Sequence, residues 1–174
     1  LLNRCQSDAA LARRLSQQDA GVRTLFAAQP TVSFAVELFA DLVQSQDWGL
    51  LAEQARRHLD NPSKETKVQA RRMLALALAH STESSERDEA VRVYETLIQD
   101  DVADPQDRSN LVTLLFGMGR SEEAKSAVLQ AIAASSREAL QPLSDIGQRI
   151  AGQTGDREFR KQLEAAVAER GGHE

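Results

Sequence analysis

The chain has 174 residues, 41% of them apolar and 27% charged, which suits one soluble globular domain and excludes a disordered chain. Aromatic residues are only 4%, while Ala, Leu, Gln, Glu and Arg abound, a mix that favours helix over a β-sandwich or barrel. The net charge of −5 lies in the second half: residues 1–82 hold ten Lys/Arg and eight Asp/Glu, residues 83–174 eleven and eighteen, so no nucleic-acid partner is expected.

Caps and breakers divide the chain into about ten helices. Ser7-Asp8 can cap a first helix to about Gln17, Asp19 a second that ends before Pro30, and Thr31 a third over about 32–45. Asp47 caps a fourth, to about Leu59, with Trp48, Leu51, Ala52, Ala55 and Leu59 on one apolar stripe. Asn61-Pro62-Ser63 breaks the chain, and a fifth helix runs from about 63 to His80. Ser84 and Ser85 precede a sixth, to about Gln99, whose stripe is Ala90, Tyr94, Leu97 and Ile98. Asp104-Pro105 reads as N-cap and first residue of a seventh, which ends at Gly117 or Gly119. Ser121 starts an eighth, with Glu122 and Glu123 at its positive end and Ala124, Ala127, Val128, Ala131 and Ile132 as its stripe. A ninth is expected from about Pro142 to Ala151, with an irregular lead-in from Arg137. Gly155-Asp156 opens a tenth that ends near Arg170, and residues 171–174 should fray. No stretch keeps a strand alternation, and no Asn-Gly or Asp-Gly hairpin turn occurs, so the fold class is all-α without a β-sheet.

The connections are short, so successive helices should form antiparallel hairpins. Landmarks recur along the chain: Ala52, Ala90 and Ala124 are 38 and 34 residues apart, and Gly155-Asp156 follows Gly119-Arg120 by 36. Gly119-Arg120-Ser121-Glu122-Glu123-Ala124 resembles the inter-helix turn and second-helix start of a tetratricopeptide repeat. Ala52, Ala90 and Ala124 match the family's small position, Leu111 and Ala131 match apolar or small positions of the 105–138 unit, and Tyr94 matches the aromatic position of the unit before it. The first-helix signature is replaced by Ala77, Leu78 and Ser81 in one unit and by Leu111, Val112 and Leu115 in the next, and Val102 and Ser136 stand where the terminal Pro belongs. The resemblance, over residues 33–170, is to a divergent tetratricopeptide array. It implies an α-solenoid of about five antiparallel hairpins in a single domain, 1–174: an N-terminal hairpin over 1–30, repeats over 31–170 and a frayed tail.

The third helix is apolar nearly all round, with Glu37, Asp41 and Gln44 as its polar line, and the seventh repeats this with Gln106, Ser109 and Thr113. The resemblance implies that both lines, with Arg72, Ala75 and Ala79 of the fifth helix, face the concave surface. Glu53, Gln54, Arg56 and Arg57 would then lie on the convex side. Glu37, Asp41, Gln44, Arg72, Gln106, Ser109 and Thr113 are therefore the expected partner-binding residues. The family's carboxylate clamp uses Lys and Asn at such places, so its absence argues against a chaperone C-terminal peptide as the ligand.

Signatures of catalysis are missing. There is no phosphate-binding G-x-x-x-x-G-K-[ST], no G-x-S-x-G, no H-E-x-x-H and no C-x-x-C. The lone Cys5 excludes an internal disulfide and reads as a buried thiol. His58, His80 and His173 have no ligand partner at helical spacing, and His58 is placed to stabilise a helix C-terminus. Trp48 reads as a packing anchor. The longest apolar run, Met73 to Ala79, is too short to span a membrane, and the start at Leu1 suggests an excised or processed piece. The expectation is a non-catalytic scaffold without cofactor or metal that binds a protein or peptide, most simply in the cytoplasm, with oligomeric state unassigned. The alternative is a spacer or regulatory helical arm of a larger enzyme or envelope assembly.

Overall fold

The computed structural model describes residues 39–171 of the chain. The expected helices before residue 39, Cys5, Glu37 and the tail beyond 171 lie outside the described residues. Those described are all-helical, with no strand among them: a helical run over 39–44 is followed by α1 (Trp48–Arg57), α2 (Lys64–Ala79), α3 (Ser84–Gln99), α4 (Pro105–Gly117), α5 (Ser121–Ala134), α6 (Arg137–Thr154) and α7 (Arg157–Gly171). None is long and apolar enough to cross a membrane. The chain divides into two compact units, Leu1–Glu86 and Arg87–Glu174, with the boundary inside α3.

Local chemistry explains where these helices start. The Asp47 carboxylate accepts from Leu50 N–H at 3.2 Å, and the Ser63 hydroxyl accepts from Thr66 N–H at 3.3 Å. Asp104 and Asp107 form a reciprocal capping box at α4, each carboxylate accepting the other's backbone N–H, with Pro105 at the first position where no N–H is needed. Asp156 Oδ1 accepts from both Glu158 and Phe159 N–H at 3.0 Å. At the turns, Gly119 and Gly155 hold φ of 76° and 68°, the left-handed conformation that reverses the chain after α4 and after α6.

One boundary differs from expectation. The irregular lead-in at 137 is absent, and α6 is one helix over Arg137–Thr154 with Pro142 inside it. Pro142 cannot donate to the Glu138 carbonyl, so one helical bond is missing. The helix continues because Leu140, Leu143, Ser144, Gly147 and Ile150 are all buried along one face.

In the first unit α1 packs on α2. Leu51, Gln54, Ala55 and His58 form the buried face of α1 at i, i+3, i+4 and i+7. Gln54 is therefore inside rather than on the charged outer face with Glu53, Arg56 and Arg57, and its Oε1 has no hydrogen-bond partner. His58 caps the C-terminus of α1 through its backbone, but its ring is buried edge-on to Phe39, with centroids 5.8 Å apart. Burial, with the Arg57 charge behind it, pushes its pKa below the ordinary 6.5, so it sits at the helix end as a neutral ring rather than as a cation. Trp48 is half-buried and stacks on the exposed His80 ring at 4.0 Å, the packing role expected of it.

In the second unit α4 and α5, joined by three residues, pack as a hairpin, and α6 and α7 form the next. The hairpins stack, with α6 against both α4 and α5, and α7 against both α5 and α6. Ala124, Val128, Ala131 and Ile132 of α5 are buried in this stack. Two polar ties fix it. Lys125 of α5 donates to Asp156 at the start of α7 at 2.7 Å and lies 5.9 Å from the Phe159 ring centroid. Arg170 near the end of α7 donates to the Ser135 carbonyl at 2.9 Å, meeting an acceptor at the end of α5.

The approach of α6 to α7 is closest at Gly147, where an added Cβ would lie 2.7 Å and 2.8 Å from the two δ-methyls of buried Leu163. Helix propensity favours Ala over Gly by about 1 kcal/mol, but overpacking costs about 1–3 kcal/mol. Gly147→Ala should therefore lower the melting temperature, whereas Gly152→Ala in the same helix, with open space around it, should raise it. Thermal melts followed by circular dichroism decide the two signs.

The lowered His58 pKa makes the first unit sensitive to mild acid. The unfolded chain binds the His58 proton first, so stability is full above pH 6.5 and falls as pH drops from 6.5 towards the native pKa. Urea unfolding followed by the fluorescence of Trp48, the single Trp, should show this slope, and His58→Leu should flatten it.

Candidate functional site

The second unit holds an open groove of about 370 Å³ between α3, α4 and α5. Leu111 and Leu115, one turn apart on α4, form its floor, and Ile98 of α3 and Ala127 of α5 form its apolar flanks. Glu95 and Gln99 stand on the α3 wall, and Glu123, Ser126 and Gln130 on the α5 wall. Periodicity assigns Ile98 and Ala127 to packed stripes, yet both are only half-buried, above Leu111 and Leu115 that are 5% and 3% exposed.

Arg120 organises one end of this region. Its guanidinium donates to Glu123 through Nε at 2.7 Å and Nη2 at 2.6 Å, and reaches Asp88 of α3 at 3.3 Å. The Glu123 bond holds the guanidinium pKa up, with Asp88 and Glu95 adding to the field, while the same bond holds the Glu123 carboxyl below its usual range. Three carboxylates thus surround one cation.

Beside the groove residues on α3, Tyr94 is fully buried, with its hydroxyl set against the Asn110 side chain. Burial pushes its pKa far above the ordinary phenol value, so it is a neutral core group and not an acid or base. No cluster of His, Cys, Asp or Glu among the described residues could hold a metal ion.

The residues expected to bind a partner divide between the two units. Asp41, Gln44 and Arg72 belong to the first, where Gln44 is exposed and the other two are half-buried. Ala75, expected beside Arg72 on an apolar strip, is fully buried. Gln106, Ser109 and Thr113 belong to the second. Gln106 and Thr113 are exposed, Gln106 donating to Asn110 and Thr113 to the Ser109 carbonyl. Ser109 is buried, and its hydroxyl donates to the Pro105 carbonyl at 3.0 Å. At 100° per residue this line and the Leu111–Leu115 floor lie roughly half a turn apart on α4. The groove therefore opens on the other side of α4 from the expected line. No motif in the sequence marks it, since its lining comes from three helices that only the fold brings together.

Compared with known proteins, the chain matches no protein-family model, no curated protein and no solved structure.

The Tyr94 hydroxyl, set against Asn110, gives a test. Tyr94→Phe removes one poorly formed hydrogen bond without opening a cavity, so it should change stability by no more than about 1 kcal/mol. A larger fall of the denaturant midpoint in this variant would show that the bond to Asn110 is strong.

Proposed function

We propose that the chain is a divergent tetratricopeptide-like scaffold that binds a protein or peptide, without chemistry of its own. The observation that carries this reading is the groove between α3, α4 and α5, in which half-buried Ile98 and Ala127 are bordered by polar side chains. Full burial of Ala90 and Ala124, near-full burial of Ala52, and burial of Tyr94 agree with the small and aromatic positions of that repeat. So does the stacking of α4–α5 on α6–α7, in which each hairpin covers the next.

The groove is a better seat than the line along Gln106 and Thr113. It offers the half-buried apolar side chains of Ile98 and Ala127, whose removal from water favours association, whereas those two side chains already have partners within α4.

Two variants separate the faces in binding assays with a partner isolated by unbiased co-purification. Ala127→Trp fills the groove from a half-exposed helix position and should weaken binding by about ten-fold or more. A Gln106→Ala, Thr113→Ala double variant should bind as the parent does. The reverse pattern would move the site to the expected line, and full binding by both would defeat the reading for either face.

A further inference from the structure

We infer that the groove between α3, α4 and α5 takes an amphipathic helix whose apolar stripe is bordered by Lys or Arg. This rests on the scaffold reading and names the class of its partner. Three observations lead to it.

The first is length. From Glu123 to Gln130 the α5 wall runs seven residues, about 10 Å at helical rise. That is the span of the i, i+4 and i+7 positions of a docked helix, and a volume of about 370 Å³ seats a few side chains rather than a folded domain.

The second is backbone chemistry. All three walls are α-helices whose central N–H and C=O groups already bond within the helix. An extended peptide laid in the groove would find no backbone partners and only wall side chains such as Gln99 and Gln130, and each group left unpaired costs free energy. A helix arrives with its backbone bonds made.

The third is charge. Both walls carry a carboxylate, Glu95 on α3 and Glu123 on α5, and no Lys or Arg among the described residues lines the groove. The nearby Arg120 is shared among Glu123, Asp88 and Glu95, so this end stays net negative. The surrounding unit agrees, since residues 87–174 hold eleven Lys/Arg and sixteen Asp/Glu. A partner with cations beside its apolar stripe would meet this field on approach, and an acidic partner would be repelled.

The test uses the full chain and three fluorescent synthetic peptides of about 15 residues. Two are stapled helices with Leu at i, i+4 and i+7, one flanked by Lys and the other by Glu. The third has the Lys composition with central prolines that prevent a helix. Titration by fluorescence anisotropy should show the Lys helix binding at least about ten-fold more tightly than either other peptide. Glu95→Lys should weaken it by roughly three-fold, added salt should weaken it further, and Ala127→Trp should abolish it. Equal binding of the Lys and Glu helices, both lost in Ala127→Trp, would overturn the charge class while leaving the scaffold reading standing. Equal binding of the proline peptide would overturn the helical partner. Binding by none of the three, or binding that survives Ala127→Trp, would overturn the groove as a helix seat; the scaffold reading would then be decided by the co-purified partner alone.

Discussion

Helices that pack pairwise along their length must bring their axes close, and the side chain at the nearest point limits how close. In this chain that limit shapes the core. Ala90 and Ala124 are fully buried, and Gly147 lies so near Leu163 that even a methyl group would collide. With only 4% aromatic residues, the interior is filled by Leu, Ile, Val and Ala on closely spaced backbones rather than by large rings between distant ones. Dispersion falls steeply with separation, so such a core depends on contact being kept at every layer.

The groove follows from the same packing. Leu111 and Leu115 of α4 lie buried beneath the groove, so its apolar surface is that of half-buried Ile98 on α3 and Ala127 on α5. A small residue that permits close approach on one face of a helix thus leaves a depression on another. The acids of the walls, Glu95 and Glu123, border this strip while remaining exposed to water.

Polar groups mainly set register. Lys125 ties α5 to the start of α7, and Arg170 ties the last turn of α7 to the end of α5, so the two helices are pinned near both ends. Exposed ion pairs contribute little free energy singly. Their directional bonds nevertheless favour one relative placement of helices whose apolar faces alone would tolerate sliding. Arg120 plays a comparable part between α3 and α5, where one guanidinium meets carboxylates of both helices.

Sequence alone determined the fold class and nearly every helix boundary within the described residues. The reason is that these are local properties: Asp47, Ser63, Asp104 and Asp156 cap through bonds to backbone two or three residues away, and Gly119 and Gly155 reverse the chain by their own φ. It misjudged α6, because Pro142 signals a break locally whereas the buried face from Leu140 to Ile150 holds the helix through contacts beyond its neighbourhood. Periodicity also marked Ile98 and Ala127 as packed, and the repeat resemblance put Gln54 on an outer face and Ser109 on a surface line. A helical wheel reports which residues share a face, but not how far the neighbouring helices cover it. That coverage depends on side-chain size across contacts between residues about thirty apart, such as those joining α3 to α5. Tertiary structure alone therefore decided that the groove lies between Ile98 and Ala127, above buried Leu111 and Leu115, on the side of α4 away from Gln106 and Thr113.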